Sequence, residues 1–91
     1  MSDNATPPLP PASFEFLVYS FKMQAELHMG LISMGEDAPE PNLQVARHMI
    51  DMLAVVQDKT KGNLSMDEQR LIENSLTELR FRYLQAAEKP A

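Results

Sequence analysis

The sequence predicts an all-α fold of three helices, at about 14–34, 43–61 and 66–87, and three observations predict it. Apolar residues recur every three or four positions through three long segments, which is the spacing of one face of a helix. Every proline lies outside those segments, and Gly30 is the single glycine within any of them. No stretch alternates apolar and polar residues in the way a half-buried strand does.

Residues 1–12, MSDNATPPLPPA, precede the first helix. Four prolines in that stretch favour polyproline II, and the segment is expected to be a disordered leader. Its alternative reading is a peptide that docks into an aromatic groove. Residues 13–88 form a single helical domain, and 89–91 are expected to fray.

Ser13 is placed to cap the first helix. At about 100° per residue, Phe14, Val18, Phe21, Ala25, His28 and Ile32 share one face. Phe16, Met23, Leu27 and Leu31 share a second, roughly opposite face. Glu15, Lys22, Glu26 and Ser33 occupy the narrow polar stripe between them. A helix apolar over most of its girth has neighbours on more than one side.

Gly35, Pro39 and Pro41, with Glu36, Asp37 and Glu40, mark a loop. Asn42 is an N-cap for the second helix. There Leu43, Ala46, Ile50, Leu53 and Gln57 form one edge, and Val45, Met49, Met52 and Val56 a neighbouring one. Gln44, Arg47, His48, Asp51 and Asp58 take the other half, with Val55 out of place among them. Lys59 and Lys61 suit the negative end of this helix, and Gly62 is expected to stop it in a left-handed conformation. Ser65 and Glu68 match the S-x-x-E capping box and start the third helix. So short a turn predicts that helices two and three form an antiparallel hairpin. On the third helix Ile72, Leu76, Leu79 and Tyr83 make one narrow apolar stripe, flanked by Leu71 and Ala86.

Composition excludes several functions. The chain has 91 residues, enough for one small domain. It has no cysteine, so it offers no disulfide, thiolate metal cluster or thiol nucleophile. A net charge of −5 argues against nucleic acid and against an anionic membrane surface. No apolar run approaches the roughly 18 residues of a membrane helix. The first residues lack both the basic start and the apolar run of a signal peptide, so a soluble cytoplasmic protein is expected.

The stretch Asn42-Leu43, Ala46, Ile50-Asp51, Leu53, Lys59-Thr60-Lys61-Gly62-Asn63-Leu64, Glu68, Leu71, Leu76, Glu78-Leu79-Arg80 and Tyr83 resembles a bacterial family of short proteins, the domain of unknown function numbered 1844. The first helix resembles the opening segment of that family, and the likeness runs over about residues 14–84. Lys59 to Leu64 is its most specific part. The resemblance implies a small helical cytosolic protein. It implies no activity, ligand or catalytic residue.

The remaining polar residues form no catalytic set, and no enzyme activity and no cofactor are expected. His28 reads as a buried or edge histidine with one hydrogen-bond partner, and His48 as solvated. Met23, His28, Met29, His48, Met49 and Met52 include soft-metal ligand types. They also fall at helical core spacing, and methionine fills irregular cores and adaptable interfaces. Lys59, Lys61 and the start of helix three could hold an anion, although a helix stop and restart explains every residue there. Asp51 is within ion-pair reach of Arg47 on the same helix, and a pair with Arg80 across helices two and three is expected.

Two functions from different classes follow. The first is a non-enzymatic interaction module that self-associates as a homodimer or other homo-oligomer. Its expected interface is Phe16, Met23, Leu27 and Leu31, joined by Met49 and Val56, and a different protein covering the same patch is the competing case. The second is a small metal or ligand carrier built on the Met and His positions.

Overall fold

A computed structural model describes residues 9–31 and 40–88. They form three helices and, among the described residues, no strand: α1 (Phe14–His28), α2 (Leu43–Lys59) and α3 (Met66–Glu88). The fold class read from the sequence is therefore correct. Each helix packs against both of the others.

The helix starts follow from side chains that satisfy the free N–H groups of a first turn. Ser13 Oγ accepts from the Phe16 N–H at 3.0 Å. Asn42 Oδ1 accepts from the N–H groups of Gln44 at 3.0 Å and Val45 at 3.2 Å. At α3 the capping box is closed in both directions. The Glu68 N–H donates to Ser65 Oγ at 3.1 Å, and the Ser65 N–H donates to Glu68 Oε1 at 2.8 Å.

Helix ends differ from expectation. α1 stops at His28, six residues short of the expected 34, and residues 32–34 lie outside the described residues. Gly30 causes the stop. It adopts φ +83°, the Leu31 N–H donates to Glu26 O, and the Gly30 N–H donates to Leu27 O, both at 3.0 Å. This pair of bonds is the Schellman arrangement, which closes a helix with a left-handed residue. Gly30, which the sequence places inside the first helical segment, is the residue that ends it. The Asn42 N–H then donates to His28 O at 2.8 Å and ties the start of α2 to the end of α1.

α2 ends at Lys59 rather than 61. The Thr60 hydroxyl donates to Val56 O at 2.7 Å and takes up one of the last free carbonyls. The Asn63 N–H donates to Thr60 O at 2.9 Å, with Gly62 at φ +83°. Gly62 thus has the expected left-handed conformation, but as the third residue of a β-turn beyond the cap.

The core is small. Val18, Ala25 and Met29 of the α1 segment, Ala46, Ile50 and Leu53 of α2, and Ile72, Leu76 and Leu79 of α3 are buried. Phe14, Phe21, Leu43 and Tyr83 are among the half-buried side chains packed against them. On α2 and α3 the buried residues lie on the edges the apolar spacing selects, while on the α1 segment Met29 joins Val18 and Ala25 from outside the expected face. Ser75 is buried as well, beside the stripe of α3 rather than within it. Small residues at Ala25, Ala46 and Ser75 let neighbouring helices approach closely.

Leu9 to Ala12 are exposed and belong to no helix or strand. Residues 1–8 and 89–91, where most of the expected leader and tail fall, lie outside the described residues. Removal of residues 1–12 leaves the Ser13 cap in place, so far-ultraviolet circular dichroism of the truncated chain should retain the helical signal and its cooperative loss on heating. A loss of helicity would mean the leader packs on the body.

The two left-handed glycines should respond differently to substitution. A Cβ at Gly62 meets nothing within 4 Å, whereas one at Gly30 meets Pro41 Cγ at 3.1 Å. Gly62→Ala should cost about 1 kcal/mol from backbone conformation alone. Gly30→Ala should cost more, because Pro41 must also shift. Urea denaturation of both variants checks the order, and an unchanged midpoint for Gly62→Ala would contradict the turn.

Candidate functional site

The outward arc of α1 is the candidate. Val18, Ala25 and Met29 point the helix at the core, and Phe16, Met23 and Leu27 lie roughly opposite them at about 100° per residue. Phe16 is 42% exposed and Met23 50%. Leu31, just beyond the helix end, is 50% exposed. Leu27 is only half-buried. Met49 and Val56 of α2, the two other residues expected in the interface, are half-buried and packed against the core. The structure therefore presents Phe16, Met23 and Leu31 to solvent and gives Met49 and Val56 a core role.

Tyr19 was not among the expected interface residues. It is 54% exposed and lies three residues after Phe16 and four before Met23, the spacing that could have revealed it. The arc around these side chains holds Phe16, Leu17, Tyr19, Ser20, Met23, Gln24 and Leu27, and none is charged. The Ser20 hydroxyl donates to Phe16 O at 2.9 Å, which satisfies its polarity within the helix.

One flank of this arc carries a ladder of charge that joins α1 to α3. Lys22 Nζ lies 3.1 Å from Glu78 Oε1, Arg82 Nη2 lies 2.8 Å from Glu78 Oε2, and Arg82 Nη1 lies 3.8 Å from Glu26 Oε2. The ladder steps four residues along α1 and four along α3, so one turn of each helix sets the register. The Lys22 ammonium, through its hydrogen bond, holds the Glu78 carboxyl below its ordinary value of 4.5. Partial burial opposes this, while the charges of Lys22 and Arg82 and the Arg82 hydrogen bond add to it. The sequence contained the i, i+4 spacings Lys22–Glu26 and Glu78–Arg82, but nothing in it placed the two pairs side by side.

The expected ion pairs of Asp51 do not form: among the described residues none joins it to Arg47 or Arg80. Asp51, Arg47 and Arg80 are all exposed, where an ion pair gains little over hydration.

The Met and His positions differ in burial and in their angle around the helices. Met23 and His28 lie about 140° apart around α1. Met29 is buried, Met49 is half-buried, and Met52 is 40% exposed. His48 is exposed, as expected. His28 is half-buried, and its Nδ1 is buried without, among the described residues, the hydrogen-bond partner expected of it. Among the described residues no three His, Cys, Asp or Glu side chains gather in a way that could hold a metal ion. At the start of α3, the side chains of Glu68 and Ser65 accept from the Ser65 and Glu68 N–H groups, and Lys61 lies 3.7 Å from Asp58.

Two further surfaces are apolar. Met52 and Val55 of α2, and Met66, Phe81 and Leu84 of α3, are each at least 40% exposed, but charged residues intervene on those faces. An open hollow lies at the end of the bundle between Met29, Leu31, Pro41, Leu43, Phe81 and Ala86, with Glu78 and Arg82 on its wall. No described helix is long and apolar enough to cross a membrane.

The position of Glu78 has a consequence for pH dependence. A carboxyl whose folded value is lowered favours the charged form in the folded state. Its stabilisation is present above the ordinary carboxylate range and is lost as pH falls through the lowered folded value. Because the ladder lies at the surface with Glu78 and Arg82 about 40% exposed, Glu78→Gln should cost less than about 1 kcal/mol near neutral pH. The difference between the two proteins should shrink in high salt and on acidification below the ordinary value. A difference that persists unchanged in acid would contradict the ladder.

The sequence profile of the domain of unknown function DUF1844 matches residues 11–85 of the chain. Comparison with curated proteins and with solved structures finds no match.

Proposed function

The chain belongs to the DUF1844 family, and from the geometry of α1 we propose that it is a non-enzymatic helical interaction module that pairs with a second copy of itself. One observation carries this reading. Phe16, Tyr19 and Met23 stand 42%, 54% and 50% exposed on an arc without a charged residue. A helix face turned to water normally carries charge. The outward faces of α2 and α3 do, with Arg47 and Asp51 on one and Arg70 and Glu88 on the other. A contiguous apolar patch on a small protein marks an interaction surface.

Charge also favours a second copy as the occupant. Each chain carries −5, so two copies repel wherever their charged faces meet. The uncharged arc of α1 is where approach costs least. A two-fold axis brings the same patch to itself, which is the commonest closed arrangement of identical chains. In this reading α1 lies near the axis, and Leu31 joins at its edge.

The antiparallel hairpin of α2 and α3 belongs to the same reading. It is supported by the short Thr60–Ser65 connection and by two hollows: Gln57 lines one with Gln69 and Glu73, while Leu43 lines the other with Phe81 and Ala86. The pairing would leave α1 on one side of the hairpin with its outer face free. A cytoplasmic location is part of the proposal and is supported by a chain without cysteine.

Leu27 is half-buried, so a charge there would disturb folding as well as assembly. Met23 is the better probe. Light scattering on a size-exclusion column should give about twice 10.3 kDa for the native chain at high micromolar concentration. Met23→Asp should give the monomer mass with its helical signal retained. A native chain that stays at 10.3 kDa under these conditions would overturn the homodimer.

A further inference from the structure

We draw no further inference here: the strongest candidate, the open hollow at the end of the bundle walled by Phe81, Leu43 and the Glu78–Arg82 pair, carries nothing because nothing in the structure shows what covers it.

Discussion

Three helices around one core can each bury a single face, and α1 has two apolar faces. That constraint organises the molecule. Val18, Ala25 and Met29 supply the buried side of the α1 segment, against Ala46, Ile50 and Leu53 of α2 and Ile72, Leu76 and Leu79 of α3. Only nine apolar side chains are buried among the described residues, and no disulfide reinforces them. Small folds of this kind gain from any further apolar burial. The second face of α1 is an uncharged reserve of such burial.

The polar features serve to position that face. Ser13 and the Gly30 turn bound α1 at its two ends. The Asn42 N–H fixes where the chain enters α2. The Lys22–Glu78–Arg82–Glu26 ladder sits where α1 meets α3 and sets how far α1 is rotated about its axis. Rotation of α1 by a quarter turn would bring Phe16 and Met23 toward α3 and break the ladder. Exposed ion pairs add little stability singly. Here their geometry fits one rotation of a doubly apolar helix, the one that buries Val18, Ala25 and Met29.

Much of this was legible in the sequence. The three helices, their N-caps, the closed Ser65–Glu68 capping box and the core stripes all follow from local chemistry, because a cap needs only residues within one turn. The family was legible from the Lys59–Leu64 string and the spaced positions around it. The end of α1 at His28 is not specified by local sequence, because Gly30 is compatible with two outcomes. Mid-helix glycine costs about 1 kcal/mol, while a left-handed glycine closes a Schellman motif through local bonds alone, and here the Asn42 N–H adds a bond to His28 O. The charged ladder was hidden for a related reason. Each of its i, i+4 pairs is visible along one helix, but their meeting depends on how two helices pack. On α2 the core takes part of both adjacent apolar edges, so Met49 and Val56 are half-buried against it, a division that periodicity alone does not specify.

The account rests on the outer face of α1 meeting its own copy, and contact between chains tests this most directly. Nuclear Overhauser spectra filtered for intermolecular contacts, on a mixture of isotope-labelled and unlabelled chains, read such contacts residue by residue. The account predicts cross-chain signals linking the Met23 methyl group with the rings of Phe16 and Tyr19. An empty filtered spectrum at high micromolar concentration would contradict it. So would cross-chain signals confined to Val55 of α2 or Phe81 and Leu84 of α3.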